Sequence, residues 1–323
     1  MRQLFLIASF ITAFTVSTGY TAEADTQIWD KLQKASVAAH ALSYQGVFVY
    51  QTRKQTKSVQ ITHMFNGQGE YARSVMLDGS PREVFSQGHD HVIFNPKNEQ
   101  VIIEKRKGQN MFPATLPQDV MQLKQAYTIR EGNVERIADR ASQMFYLDAK
   151  DQMRYKYKFW VDLEYGLLVR TEMLNHDDEI IESIGFNQLS LMHTIDLDWF
   201  QPKIDTKKNY VMEELTISTA MNQKLKQWTT QSLPAGYKKT DEAVRSVNGK
   251  KYPVTHVTLS DGLASVSLFI EPITEGEKTK IGHMSFGHTH FFAMVNNGYL
   301  ITAVGEVPSN AVQSIASAVR LKK

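Results

Sequence analysis

Residues 256–271 read HVTLSDGLASVSLFIE, two extended runs hinged on Ser260-Asp261-Gly262. In the second run Ala264, Val266 and Leu268 alternate with Ser265, Ser267 and Phe269, the two-residue period of a strand with one face buried. A Ser-Asp-Gly triplet between such runs is turn chemistry, so the stretch predicts an antiparallel hairpin. Downstream, VGEVPSNAVQSIASAV (304–319) passes from a strand into a helix that starts at Pro308 and Ser309, with Val312, Ile315, Ala316 and Val319 on one stripe. Residues 225–232, 255–259, 264–270, 290–295 and 300–304 are the strand candidates of this region. They predict a small antiparallel sheet packed on a terminal helix.

Working upstream, the pattern predicts a second and larger sheet. Asp25 or Thr26 caps a helix in which Ile28, Trp29, Leu32, Ala35, Ala39 and Leu42 recur at helical spacing. From Gly46 the period changes to two: Val47, Val49 and Gln51 face away from Phe48, Tyr50 and Thr52, and Val59, Ile61, His63 and Phe65 continue after a polar turn. Asn66-Gly67-Gln68-Gly69 is hairpin chemistry. Pro113-Ala114-Thr115-Leu116-Pro117 interrupts the strands, 118–125 predicts a short helix, and Tyr127 resumes extended chain. Farther on, Tyr155, Tyr157 and Phe159 oppose Arg154, Lys156, Lys158 and Trp160, and turns at 164–166 and 175–178 bound strands over 167–174 and 180–189. About ten strands in one sheet must curl, close or split, and a partly closed barrel around the helix is one stable solution.

The predicted fold class is mainly β with α (α+β). The predicted organisation is a signal peptide over 1–24, a first domain over 25–199, a linker over 200–214 and a second domain over 215–323. The 323-residue length and 42% hydrophobic content support two packed domains. Arg2 precedes an apolar stretch over 4–16 that is too short to span a bilayer, and Ala22-Glu23-Ala24 fits a cleavage site, with a cut after Ala22 as the alternative. The expected product is a soluble periplasmic protein. A formal charge of +2 gives no nucleic-acid surface, and the absence of cysteine removes disulfides and thiol chemistry.

Sequence motifs for catalysis are missing: no nucleophile elbow, phosphate-binding loop, H-E-x-x-H or dinucleotide fingerprint occurs. Asp177-Asp178-Glu179 fits a hydrated turn. His288 and His290, with His283 before them, have a spacing that suits zinc, copper or nickel, and His89 and His91 repeat it. Without a carboxylate or thiol close in sequence the signal is weak, and the expectation is no metal, no cofactor and no enzyme.

SYQGVFVYQ (43–51), MLDGSPREV (76–84), YKFWVDLEYGLLVRTEML (157–174), HVTLSDGLASVSLFIE and VGEVPSNAVQSIASAV together resemble, in order, the RseB/MucB family of periplasmic stress-response regulators. The resemblance implies a first domain shaped as a half-open barrel like LolA and LppX, whose concave face accepts acyl chains. It implies as partner the periplasmic domain of an inner-membrane anti-sigma factor, shielded from its first protease and released by lipopolysaccharide or lipoprotein acyl chains. A homodimer is a further implied state, without heptads to support it. Cavity candidates are Phe48, Tyr50, Phe65, Tyr71, Phe85, Phe94, Tyr146, Tyr155, Tyr157 and Phe159, against the plainer reading that strand aromatics form core. Partner-contact candidates are Ser260, Asp261, Gly262, Leu263, Ala264 and Ser265, against the reading that they form a structural turn. A periplasmic lipid or lipoprotein carrier is the alternative function, and a hydrolase with an unrecognised site is a third.

Overall fold

In a computed structural model of the chain the described residues are 19–88, 90–95, 100–105, 111–192, 196–203, 211–215, 228–245, 252–273 and 279–321. The first module is built on one long sheet. Its strands are β1 (Tyr44–Thr52), β2 (Thr56–Phe65), β3 (Glu70–Met76), β4 (Glu83–Gln87), β5 (Asp90–Asn95) and β6 (Gln100–Lys105), then β7 (Tyr127–Ile137), β8 (Arg140–Ala149), β9 (Lys156–Asp162), β10 (Leu168–Leu174), β11 (Ile180–Leu191) and β12 (Val211–Leu215). Their spatial order is β12-β6-β5-β4-β3-β2-β1-β11-β10-β9-β8-β7. Every ladder is antiparallel except β12 on β6, which is parallel.

The sheet bends. β7 and β11 come within reach of each other although three strands lie between them, which a flat sheet with strands about 4.8 Å apart forbids. The two ends do not join: no ladder links β7 to β12 among the described residues, so the barrel is half-open. Helix α1 (Gly19–Ala41) fills the bend. Trp29, Leu32, Ala35 and Ala39 are buried against Tyr44, Phe48, Phe145, Phe159 and Leu168 in one cluster. The proline-rich segment contributes Phe112, Leu116, Val120 and Leu123 to the same cluster. Ser36 fastens the helix to it, its hydroxyl donating to the Pro117 carbonyl at 2.7 Å.

The second module holds β13 (Trp228–Thr230), β14 (Lys238–Arg245), β15 (Val254–Ser260), β16 (Ser265–Pro272), β17 (Gly282–Phe286), β18 (Thr289–Asn296), β19 (Tyr299–Gly305), α2 (Ser309–Ser317) and β20 (Val319–Leu321). Six strands form a sheet in the order β14-β15-β16-β19-β18-β17, and β13 pairs with β20 separately. The α2 stripe of Ala311, Val312, Ile315 and Ala316 seals on Val266, Leu268, Ile301 and Ala303. Fully burying a valine, leucine or isoleucine side chain contributes roughly 1.5–3 kcal/mol, so this layer can support the small sheet without a disulfide.

Differences from the sequence expectations are local. Residues 1–18, most of the expected signal peptide, lie outside the described residues, and α1 already runs from Gly19, through the expected cleavage site. The short helix is a 3₁₀ turn, Val120–Gln125, capped by the Asp119 carboxylate accepting from the Met121 amide. Within the expected linker, Phe200 is buried and β12 extends the first sheet, while 204–210 lie outside the described residues. Only Trp228–Thr230 of the 225–232 candidate forms a described strand. β14, β17 and β20 were not expected, and Val319, expected on the helix stripe, begins β20 because α2 ends at Ser317.

The two sheets meet end to end. β7, β9 and β11 begin, and β8, β10 and β1 finish, at one end of the first sheet. β14, β16 and β18 begin, and β15, β19 and β17 finish, at one end of the second. Antiparallel order thus gathers the turns of each sheet where the modules touch.

Candidate functional site

One half of this seam is a buried ionic node. Arg154, in the β8–β9 loop, is 0% exposed and its guanidinium spends its donors on both modules. Nε and Nη2 donate to the Asp151 carboxylate at 2.9 and 3.1 Å, Nη1 donates to Asp261 Oδ2 at 2.7 Å, and Nη2 to the Ala235 carbonyl at 2.6 Å. The rings of Tyr127 and Tyr237 flank it, 5.6 and 5.1 Å from the guanidinium carbon. Burial, with Asp261 beside it, pushes the Tyr127 phenol well up, so the hydroxyl keeps its proton and donates to Asp261 Oδ2 at 3.2 Å.

The β15–β16 turn is shaped for this contact. Asp261 Oδ1 accepts the amides of Leu263 and Ala264 at 3.0 and 2.8 Å, and the Ser260 hydroxyl donates to the Ala264 carbonyl at 2.8 Å. Gly262 has φ +106°, and a Cβ there would sit 3.0 Å from Leu123 of the first module. Only glycine satisfies both demands. Ser260, Asp261 and Ala264 are buried, Gly262, Leu263 and Ser265 are half-buried, and Leu263 packs on the core of the first module. In this conformation the six expected partner-contact residues therefore lie at or beside the seam, where Asp261 bonds across to the first module and the other polar contacts close the turn on itself.

The other half of the seam is a triad. Glu182 on β11 comes from the first module, and His288, in the β17–β18 turn, and Glu306, after β19, from the second. His288 Nε2 lies 3.4 Å from Glu182 Oε2 and 3.2 Å from Glu306 Oε1. Neither approach has hydrogen-bond geometry, so these are charge contacts. The two nearby carboxylates raise the imidazole above its ordinary 6.5 against the opposing effect of burial. Tyr50 donates its hydroxyl to Glu182 Oε2 at 3.0 Å, and Lys54 lies 5.2 Å above the exposed ring of Phe286. His288 sits in a turn, apart from the expected strand-face pair with His290; His283 contacts Gln313 at 3.1 Å, and His91 contacts Ser86 at 2.8 Å. His89 lies outside the described residues.

The ten aromatic candidates divide among several sites. Phe48, Tyr155, Tyr157 and Phe159 are buried in the core under α1, with Tyr146 packed at its margin. Phe85 and Phe94 form a separate small cluster with Val101 on β4 to β6. Tyr71 lies 5.9 Å from the Phe200 ring, Phe65 is exposed and Tyr50 belongs to the seam. The candidates thus do not line one common surface: α1 and the proline-rich segment occupy the bend. Arg154, Tyr127, Glu182 and Glu306 escaped notice, since each gains its role from residues far away along the chain.

Family models described as the MucB/RseB N-terminal domain and the MucB/RseB C-terminal domain match residues 27–204 and 222–320. The sigma-E factor regulatory protein RseB of Salmonella typhimurium is 24% identical over 323 residues, covering 100% of this chain and 99% of the relative. The sigma factor AlgU regulatory protein MucB of Pseudomonas aeruginosa is 26% identical over 306 residues, covering 93% and 92%. Among solved structures, the Pseudomonas aeruginosa MucA/MucB complex superposes with a TM-score of 0.74 at 24% identity, covering 92% of this chain and 99% of that one. A crystal structure of MucB in complex with MucA(peri) gives 0.72 at 24%, covering 91% and 98%. These neighbours share the fold.

Proposed function

The chain belongs to the MucB/RseB family, and from that membership we propose that it is a periplasmic negative regulator that binds the periplasmic domain of an inner-membrane anti-sigma factor. The observation that carries this reading is full-length similarity, through both modules, to proteins whose names are those of sigma-factor regulators. Binding needs no covalent step: covering the anti-sigma factor keeps its protease from it. The described residues offer an open surface for docking in β17, the free edge of the second sheet, where Met284 and Phe286 are exposed. An edge strand with one side left unpaired and apolar side chains exposed suits an extended peptide.

Release follows when an acylated ligand, from lipopolysaccharide or a lipoprotein, prefers the unbound form and lowers partner affinity by the ratio of its two affinities. Because α1 fills the bend, we place the acyl contact nearer the Phe85 and Phe94 cluster, beside the open β12 edge. The test is protection of the anti-sigma factor's periplasmic domain from proteolysis by the purified chain. Protection that falls as lipopolysaccharide is added is expected; absence of binding with and without lipid would end this reading.

A further inference from the structure

We propose that Glu182, His288 and Glu306 form a zinc site that ties the two modules together. One imidazole and two carboxylates are a donor set that zinc accepts, with solvent free to complete the coordination. The three ligand atoms lie within 4.8 Å of one another. Nε2 is 3.4 and 3.2 Å from the two carboxylate oxygens, close to the edge of about 3.3–3.4 Å that a tetrahedron with ligand bonds of about 2.0–2.1 Å requires. That separation is long for a hydrogen bond, and Nε2 is buried without an aligned partner.

The surroundings fit. Neither Glu182 nor Glu306 pairs with a lysine or arginine among the described residues, so no fixed side-chain cation there competes for their oxygens. Tyr50 fixes the ligating oxygen of Glu182, as an outer hydrogen bond does for many metal ligands. Glu306 is 56% exposed, which leaves an entry path and room for water. Glu182 belongs to the first module and the other two ligands to the second, so the bound ion closes the seam. The site is independent of the anti-sigma-factor reading.

The experiment uses untagged mature protein stripped with a chelator and titrated with zinc chloride by calorimetry, with metal content measured after desalting. One zinc per chain is expected, together with slower hydrogen exchange at the β17–β18 turn. His288→Gln and Glu306→Gln should each weaken zinc at least tenfold, and Glu182→Gln, in the other module, should do the same, whereas His256→Gln should leave it unchanged. Thermal midpoints in chelator show whether each variant is folded. No zinc retained by the wild-type chain, or retention unmoved by all three glutamine substitutions, would overturn the proposal.

Discussion

Glu70 is held between two imidazoles, His40 Nδ1 and His63 Nε2, each 2.9 Å from its Oε1. Burial would raise this carboxyl, yet the hydrogen bonds from His40 and His63 bring it from an ordinary 4.5 down to about 2. The same hydrogen bond raises His40 from its ordinary 6.5, against burial. Ionised Glu70 therefore contributes stability above about pH 5 that is lost as pH falls toward about 2. Protonated His40 contributes below its ordinary value and loses that contribution as pH rises through its raised folded value. The trio joins α1 to β2 and β3, so Glu70→Gln should cost most near about pH 5–6 and progressively less in acid and above neutrality. Urea midpoints of both proteins across that range check this; a gap independent of pH would show that Glu70 and His40 do not titrate this way.

α1 is the element on which the first module closes. Trp29 is 1% exposed on it, whereas Val37 on the outer face is 55% exposed. Trp29→Ala should cost about 3–5 kcal/mol of unfolding free energy and Val37→Ala under about 0.5 kcal/mol, read from denaturant titrations. Elements of this kind were legible, because Trp29, Leu32, Ala35 and Ala39 announce a buried stripe and Val266 and Leu268 a buried strand face. β14, KKTDEAVR, was not legible, since charged residues mask any alternation, and neither was β17, GHMSF, an edge strand with little to bury. The seam was the least legible part. Arg154 and Asp261 are 107 residues apart, and an arginine that the alternation sets on a strand face among lysines, although it lies in the β8–β9 loop, has no local mark of burial. The carboxylates that the histidine spacing lacked are supplied by the fold, from β11 and from the end of β19.

At the scale of the molecule, the Arg154 node couples the modules. Removing one partner of a buried pair leaves an uncompensated charge, typically costing 3–5 kcal/mol, and Asp151 retains part of the contact here. Asp261→Asn keeps an oxygen for the turn amides but loses the charge, so about 3 kcal/mol of stability should disappear. Hydrogen exchange should quicken around both Tyr127 and the β17–β18 turn; exchange confined to the β15–β16 turn would show that the two halves of the seam open separately. The strand order has a further consequence. β1 lies between β2, which follows it immediately, and β11, which is made only after nine other strands. A chain that emerges N-terminus first holds β1 with one bonding edge bare until β11 follows, because closing so long a loop precedes the central ladder. The unfinished sheet thus carries a bare strand edge that another chain could pair with, and only delivery of the eleventh strand covers it.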